Sequence, residues 1–330
     1  MSETLVVSPS WIGDAVLAHP LLARLKDRDP HGDIDVLAPA WASAVYGRMP
    51  EVRRTIAFPF GHGELALAGR RRFARALPRY DHAVVLPGSL KSALVPWFAG
   101  IARRTGWRGE MRFGLLNDLR TLEREALPLI VERYAALAQP AGEALERPLP
   151  APRLTVDPKT RDATLAKFGL EAKAPVLALA PGAEYGPAKR WPARHFAEVA
   201  RVHAGRGFQV WLFGSARDGA VTAEVAALSG VAVSDLAGRT TLDEAIDLLS
   251  LAARVVSNDS GLMHVAAALD RPMAAVFGSS SPEHTPPLCA KARVVTLRLS
   301  CSPCFARQCP LGHTDCLEKL DPARVLAALD

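Results

Sequence analysis

Long apolar runs are absent from this 330-residue sequence, and no stretch approaches the roughly 20 apolar residues that a membrane-spanning helix needs. The first residues, MSETLVVSPSW, also lack the charged and then apolar pattern of a secretory signal peptide, and we interpret them as leading into an early strand. Only five cysteines are present, too few for a disulfide scaffold of the secreted kind. These absences favour a cytoplasmic protein.

Apolar material is nevertheless plentiful, because hydrophobic residues make up 49% of the chain and charged residues 22%. This balance excludes a disordered chain, and the length favours two domains of roughly 150 residues each. Short apolar runs alternate with amphipathic helical segments, the first of which spans residues 15–26. Strands that alternate with helices predict an α/β fold with parallel, doubly wound sheets.

We predict strands at residues 5–7, 35–37, 83–86, 101–105, 176–180, 209–213, 254–257, 273–277 and 293–297. Between the two groups of strands lies segment 139–157, which contains four prolines. Proline disfavours helix interiors and sheet centres, so we interpret this segment as a linker between domains 1–150 and 151–330. Ligands of such folds bind beyond the carboxyl ends of the strands, which directs attention to the loops at that edge.

Positive charge is concentrated in residues 61–113, which contain ten Lys/Arg against three Asp/Glu, whereas the whole chain has a net charge of +6. Such a stretch predicts an anionic partner: nucleic acid, a phosphorylated substrate or an acidic membrane surface. A merely solvated basic face is the alternative. Arginines with few interleaved acids make up much of the stretch, namely Arg70, Arg71, Arg72, Arg75 and Arg79.

The loop after the first strand, residues 8–14, reads SPSWIGD. Gly13 permits a close backbone approach, and Asp14 lies at or near the start of the following helix, where the helix dipole favours a carboxylate. From position alone, Asp14 is equally consistent with a helix-capping residue and with a catalytic base facing the ligand.

Two loops of the C-terminal half have the features of a phosphate site. Residues 181–191 combine two glycines with Lys189 and Arg190, and so offer exposed N–H groups and cations. Residues 257–265 lead from a strand into an apolar helix, and Gly261 leaves the first helical turn accessible to an anion. His264 lies one turn into that helix and is as consistent with packing as with ligand binding. A basic surface loop is the alternative for residues 181–191.

Residues 238–242 and 278–283 are further small-residue loops after predicted strands, and Thr241 with Glu244 forms a capping box. Together these four loops predict a phosphorylated nucleotide in the C-terminal domain. A P-loop of the form GxxxxGK[ST] is missing, and no GxGxxG follows a strand, which argues against P-loop enzymes and nicotinamide dehydrogenases.

Four thiols lie within sixteen residues near the C-terminus, at Cys301, Cys304, Cys309 and Cys316, whereas Cys289 is separate. In a cytoplasmic protein this density predicts a structural metal, most simply tetrahedral zinc. The spacing is irregular, so an iron–sulfur cluster, disulfides and free thiols stay open.

Several segments resemble the bacterial lipopolysaccharide heptosyltransferases of glycosyltransferase family 9, most closely the heptosyltransferase II group. They are PSWIGDAVLAHPLLARLK, TGWRGEMRFGLLNDLR, VERYAALA, PGAEYGPAKRWP, NDSGLMHVAAALDRP and FGSSSPEHTPP, in this order across both domains. The resemblance implies a GT-B fold, with two Rossmann-like domains that face a central cleft. It also implies inverting, metal-independent transfer of L-glycero-D-manno-heptose from ADP-heptose to the first heptose of the lipopolysaccharide inner core.

The resemblance further assigns roles to residues. Asp14 would be the general base and Lys189 the cation on the donor phosphate, with no catalytic cofactor. The donor-binding set would comprise Gly182, Lys189, Thr240, Thr241, Leu242, Asp259, Ser260, Gly261, Met263 and His264. The acceptor-binding set in domain 1–150 would comprise Ser10, Trp11, Gly13, Arg104, Trp107 and Arg108. The four clustered cysteines depart from the family pattern and form a separate, local feature of residues 301–316.

The implied partners are ADP-heptose, the heptosyl-Kdo2-lipid A acceptor and the anionic inner face of the inner membrane, where the enzyme would be peripheral. A heptosyltransferase I-type enzyme that adds heptose to Kdo, and a GT-B sugar-nucleotide epimerase, are the alternatives among enzymes. Nucleic acid is disfavoured as a partner, because Phe73, Trp107 and Phe113 are sparse aromatics for base stacking.

Overall fold

A parallel six-stranded sheet organises each of the two units into which the chain divides, Met1–Pro152 and Arg153–Asp330. The computed structural model describes residues 2–61 and 63–330. The division between the units falls within the proline-rich segment 139–157.

The first sheet has the strand order β3-β2-β1-β4-β5-β6. Its strands are β1 (Glu3–Val7), β2 (Asp33–Ala38), β3 (Arg54–Ala57), β4 (His82–Val85), β5 (Arg103–Trp107) and β6 (Asp118–Arg120). Its helices are α1 (Ile12–Leu17), α2 (His19–Arg28), α3 (Ser43–Tyr46), α4 (Leu67–Arg75), α5 (Leu90–Phe98) and α6 (Ile130–Ala135), with 3-10 turns at Ala40–Ala42 and Ala136–Ala138.

The second sheet repeats this arrangement, with the order β12-β11-β10-β7-β8-β9. Its strands are β7 (Val176–Ala180), β8 (Gln209–Leu212), β9 (Val233–Asp235), β10 (Ala252–Asn258), β11 (Met273–Val276) and β12 (Ala292–Val295). Its helices are α7 (Pro158–Phe168), α8 (Ala193–Gly205), α9 (Gly219–Ser229), α10 (Leu242–Leu249), α11 (Gly261–Ala268), α12 (Asp315–Glu318) and α13 (Pro322–Leu329), with 3-10 turns at Pro187–Lys189 and Ala216–Asp218.

Both units therefore have the doubly wound order of Rossmann domains, in which the chain winds outward from the middle of the sheet in two directions. Burial of the central strands explains their apolar composition, since β7 reads VLALA and is buried at every position. In the second unit this strand packs against Trp191 and Phe196, which are both fully buried. The expectation of an α/β fold with two doubly wound sheets is confirmed.

Local signals set several helix boundaries. Asp157 accepts a hydrogen bond from the Lys159 backbone N–H at the start of α7, and Gly169 ends that helix with a φ of 62°. The predicted helix over residues 15–26 is two helices, α1 and α2, which meet at Ala18. Pro20 accounts for the break, because it has no N–H to continue the hydrogen-bond ladder of α1.

The predicted central strands are present, whereas β3, β6 and β9 were not predicted. Each of them has four residues or fewer and is polar at half or more of its positions. β3, β6 and β9 are edge strands, whose side chains are less completely buried than those of central strands. They therefore lack the run of apolar residues on which the prediction of strands depended. In the described part of the chain, none of the helices is long and apolar enough to cross a membrane.

Candidate functional site

The central strands of the second unit, β7 and β10, are neighbours from which the strand order diverges in opposite directions. In open parallel sheets a crevice forms at this point, beyond the carboxyl ends of the two strands, because the flanking loops separate there. The loop of residues 181–191 follows β7, and Asp259 and Ser260 follow β10. Two of the four loops that the sequence analysis selected therefore meet at the switch point.

An ion pair joins these two loops. Lys189 Nζ lies 2.5 Å from Asp259 Oδ2, and the two side chains are 17% and 6% exposed. Ser280, in the loop after β11, donates its hydroxyl to the same carboxylate oxygen at 2.5 Å. An ammonium group has three N–H donors, so Lys189 retains donors for a ligand while Asp259 fixes its position.

Asn258, the last residue of β10, holds both ends of the 181–191 loop. Its Oδ1 accepts a hydrogen bond from the Trp191 backbone N–H at 3.0 Å, and its Nδ2 donates to the Pro181 carbonyl at 2.7 Å. All three residues are buried. Because one buried side chain fixes both ends of the loop, the backbone position of Lys189 within the loop is restricted.

Gly182 lies against the carboxylate of Asp218, and a Cβ at position 182 would overlap that carboxylate. Asp218 accepts hydrogen bonds from the backbone N–H and the hydroxyl of Ser215, at 2.9 and 2.8 Å, and so orders the loop after β8. Arg190 approaches the same carboxylate at 3.8 Å. Gly182 thus permits contact between the loops after β7 and β8.

Helix α11 begins at Gly261, and its N-cap residue, Ser260, makes no side-chain capping hydrogen bond. Met263 and His264 are buried, one turn into the helix. Burial lowers the pKa of His264 to about 4, so its imidazole is neutral at pH 7. Amides of the first turn and a neutral imidazole therefore lie beside the Lys189–Asp259 pair.

Thr240, Thr241 and Leu242 follow β9, at the edge of the sheet rather than at its switch point. The predicted capping box is present, since Thr241 Oγ1 accepts from the Glu244 N–H and Glu244 Oε2 accepts from the Thr241 N–H at 2.8 Å. The Thr241 side chain is thereby engaged in starting α10. Its role toward a donor stays a prediction.

The first unit has a corresponding switch point between β1 and β4. Asp14 lies in the first turn of α1, which follows β1, and is half-buried. The N-cap residue of that helix is Trp11, so Asp14 is not its N-cap. Burial raises the pKa of Tyr46 and of Tyr134, and the negative charge of Asp14 raises both further.

The other predicted residues of this loop differ in exposure. Ser10 and Trp11 are exposed, whereas Gly13 is buried. Trp41, which was not predicted, is also exposed and donates its indole N–H to the Ser10 carbonyl at 2.8 Å. Two exposed indoles thus lie at the loop that carries Asp14, Trp11 within it and Trp41 hydrogen-bonded to it.

Two of the three acceptor residues predicted around β5 have structural roles. Arg104 lies toward the amino end of β5, and its guanidinium donates to the carbonyls of Leu115 and Ile101 at 2.6 and 2.5 Å. It is therefore at the wrong end of the strand for the predicted site. Trp107 donates its indole N–H to the Arg133 carbonyl at 2.8 Å. Arg108 is exposed and lies over the Phe113 ring, 5.6 Å from its centroid.

The basic stretch is likewise divided between interior and surface. Arg70 is 1% exposed, packs its guanidinium against the Phe58 and Phe60 rings and donates to the carbonyls of Glu64 and Leu65. Because its guanidinium is used internally, its inclusion in an anion-binding face was wrong. The remaining arginines of that set are exposed and, within the described residues, have no carboxylate at ion-pair distance: Arg71, Arg72, Arg75 and Arg79.

The four clustered cysteines lie close together, and a metal there stays a prediction. Cys301, Cys304, Cys309 and Cys316 are free thiols that line one small cavity with His313. Over residues 2–61 and 63–330, no three His, Cys, Asp or Glu side chains are grouped as ligands of one ion. Cys301, Cys304 and Cys309 precede α12, whereas Cys316 lies within that helix.

Sequence reasoning missed Asn258 and Ser280 as members of the site. Asn258 was quoted within its loop but given no role, although a buried amide at the end of a strand needs partners for both its donor and its acceptor. Ser280 was one of three consecutive serines, and only the fold selects the one that faces Asp259.

Residues 70–315 match the family model described as glycosyltransferase family 9 (heptosyltransferase). The chain is 47% identical to lipopolysaccharide heptosyltransferase 2 of Escherichia coli K12, over 99% of this chain and 97% of that protein. It is 45% identical to lipooligosaccharide heptosyltransferase 2 of Haemophilus influenzae, over 89% of this chain and 88% of that protein.

The fold agrees with a solved structure. The structure of E. coli ADP-heptose lps heptosyltransferase II superimposes with a TM-score of 0.89 at 45% sequence identity, and the match covers 99% of this chain and 97% of that chain.

Proposed function

Because this chain belongs to glycosyltransferase family 9, the heptosyltransferases, we propose that it transfers heptose from ADP-heptose to the first heptose of the lipopolysaccharide inner core. The enzyme is a heptosyltransferase of core assembly with the GT-B fold of its relatives. Our proposal goes beyond the family in three respects: the donor, the acceptor and the stereochemical course of the transfer.

The observation that carries the donor assignment is the Lys189–Asp259 pair at the switch point of the second sheet. A sugar nucleotide presents a diphosphate, which needs a cation and free backbone N–H groups. Lys189 offers the cation, and the first turn of α11 offers amides at the positive end of a helix dipole. Neutral His264 adds a polar group without adding charge.

Asp14 is our candidate for the general base. The acceptor hydroxyl oxygen attacks the anomeric carbon of the heptose, the bond from that carbon to the ADP oxygen breaks, and the hydroxyl proton passes to the Asp14 carboxylate. Attack on the face opposite to the leaving group inverts the anomeric configuration. A positioned base of this kind contributes roughly 10²- to 10⁴-fold to the rate.

Departure of ADP concentrates negative charge on the diphosphate. Lys189 and the α11 amides are positioned groups that stabilise this charge as it develops, which is the kind of electrostatic stabilisation that raises kcat. These groups support a reaction without a divalent cation, and we expect turnover to be the same with and without a chelator.

The acceptor is anchored in a membrane by its lipid, and helix α4 with its flanking residues supplies a basic surface in the first unit. Arg71, Arg72 and Arg75 are exposed, as are the apolar side chains of Leu65 and Leu67, which are 48% and 50% exposed. Arginines beside apolar side chains favour a surface that carries anionic lipid head groups. We therefore propose peripheral binding to the cytoplasmic face of the inner membrane.

Transfer assays with ADP-heptose and Kdo2-lipid A acceptors bearing zero, one or two heptoses test the reaction directly. We expect product only with the acceptor that bears one heptose. Product with the heptose-free acceptor would indicate the heptosyltransferase I reaction instead, and conversion of ADP-heptose without an acceptor would indicate an epimerase.

Vesicle binding tests the membrane surface. Replacement of Arg71, Arg72 and Arg75 by Gln is expected to weaken binding to vesicles of phosphatidylglycerol and phosphatidylcholine by roughly 1 kcal/mol per arginine. A charge-matched control replaces three exposed arginines of the second unit, namely Arg293, Arg298 and Arg324. Equal losses in the two variants would contradict a specific role for α4.

A further inference from the structure

The cysteine-rich segment, residues 301–316, contacts the loop after β11. Ser302 donates its hydroxyl to the Gly278 carbonyl, and the Phe305 backbone N–H donates to the Ser279 carbonyl at 2.6 Å. Ser280, which binds the Asp259 carboxylate, is the next residue along. The segment therefore lies against one of the loops that form the Lys189–Asp259 site.

The same segment also contacts the loop after β7. The Arg307 carbonyl accepts a hydrogen bond from the Ala188 backbone N–H at 3.1 Å, and a Cβ on Gly186 would overlap that carbonyl. Ala188 directly precedes Lys189. This hydrogen bond therefore fixes the backbone of Arg307 beside Ala188, the neighbour of Lys189.

The side chains of Arg307 and Lys189 share one aromatic neighbour. The Arg307 guanidinium carbon lies 5.0 Å from the Tyr185 ring centroid, and Lys189 Nζ lies 5.1 Å from the same centroid. Tyr185 is held in turn by its hydroxyl, which donates to the Phe305 carbonyl at 2.8 Å. Two distances of about 5 Å to one point place the charges at most about 10 Å apart, close to the Debye length of ~8 Å at physiological ionic strength.

The two cations differ in their partners. Lys189 is paired with Asp259, whereas Arg307 is exposed and has no carboxylate at ion-pair distance within the described part of the chain. Two cations beside one ring repel each other, and an anion that contacts both removes this repulsion. The unpaired guanidinium of Arg307 is therefore available to bind an anionic ligand.

We propose that Arg307 is a second phosphate-binding residue of the donor site and that the cysteine-rich segment serves to carry it there. The inference rests on the proposed function and extends it to residues outside the matched donor motifs. The planar guanidinium presents several N–H donors in a fixed fork that matches phosphate oxygens, while Lys189 acts as a point charge. Arg307 would bind the diphosphate in the ground state and continue to neutralise it as ADP leaves.

Calorimetric titration of the full-length protein with ADP, AMP and adenosine tests this role. In Arg307→Gln, we expect the affinity for ADP to fall about tenfold, as for the loss of a hydrogen bond to a charged group, while adenosine binds as before. Arg307→Lys should recover part of the loss, because the charge returns without the fork. Arg324→Gln, which removes an exposed arginine of α13 in the same unit, is the matched control and should leave the affinity for ADP unchanged.

The outcomes separate this inference from the proposed function. Unchanged ADP affinity in Arg307→Gln, with normal binding by the unmodified protein, would overturn the role of Arg307 and leave the donor assignment intact. An equal loss for ADP and adenosine would also overturn it, because the effect would not follow the phosphates. Failure of the unmodified protein to bind ADP would overturn both.

Discussion

Replacement of Asn258 by Ala is the substitution whose effect follows most directly from the structure. The side chain is completely buried and makes two hydrogen bonds, from the Trp191 N–H and to the Pro181 carbonyl. Its loss leaves both of these backbone groups buried and unpaired. Since the two groups terminate the loop that carries Lys189, stability and donor binding should both decline.

The magnitude can be worked from the two orphaned groups. A buried donor or acceptor left without its partner costs about 1–3 kcal/mol, so the pair predicts about 2–6 kcal/mol of lost unfolding free energy. For a unit of 150–250 residues, 1 kcal/mol corresponds to about 2–4 °C, which predicts a Tm lower by about 4–24 °C. Loosening of the loop should in addition weaken ADP binding on the order of tenfold, as expected when a charged hydrogen bond is lost.

Differential scanning calorimetry with and without ADP measures both effects. Ser229→Ala is a suitable control, because Ser229 is also buried in the second unit but its hydroxyl bonds only locally at the end of α9, donating to the Ala226 carbonyl and accepting from the Val231 N–H. A Tm within 2 °C of the unmodified protein would refute the argument that Asn258 holds the loop, as would a normal ADP affinity in a destabilised variant.

Three further predictions concern charge and titration. Lys189→Ala should lower kcat/KM for ADP-heptose by roughly 10- to 100-fold, the loss expected for a hydrogen bond to a charged group, and Lys189→Arg should recover part of it; equal kinetics in Lys189→Ala and the unmodified enzyme would exclude the phosphate role. Iodoacetamide should modify Cys309 before Cys316, because backbone N–H groups lower the pKa of Cys309 whereas burial raises that of Cys316, and peptide mass spectrometry would expose the reverse order. Burial lowers the pKa of His82 and of His264 to about 4, below the unfolded value of about 6.5, so the unfolded state binds more protons between these values. The free energy of unfolding should therefore fall as pH decreases from 6.5 to 4, by up to about 1.4 kcal/mol per pH unit for each histidine. Urea unfolding at a series of pH values measures this dependence, which should be weaker in His264→Gln than in the unmodified protein. An equal pH dependence in the two proteins would contradict the assignment.

How far the sequence predicts the fold depends on burial. Central strands such as β7 are buried on both faces, so their apolar runs identify them, and alternation with helices then implies parallel sheets. Edge strands such as β6, which reads DLR, have no such signal. Their pairing depends on neighbours that are distant in sequence, which local patterns cannot convey.

Residues of the candidate site were predictable where they lie in loops after central strands, as Lys189 and Asp259 do. The groups that each side chain contacts in the folded chain could not be predicted from the sequence. Arg70 and Arg71 are adjacent in the sequence, yet the first is buried against aromatic rings and the second is exposed. Equally, the contact between Arg307 and Tyr185 joins segments more than a hundred residues apart, and only the folded chain brings them together.

The central claim is that donor binding by the second unit and proton removal by Asp14 in the first are separate functions of separate residues. Parallel measurement of ADP affinity and of heptose transfer to the mono-heptosylated acceptor in Asp14→Asn tests it most directly. We predict unchanged ADP affinity with transfer slowed by about 10²- to 10⁴-fold. Near-normal transfer in this variant, or loss of ADP binding in parallel with transfer, would contradict the account.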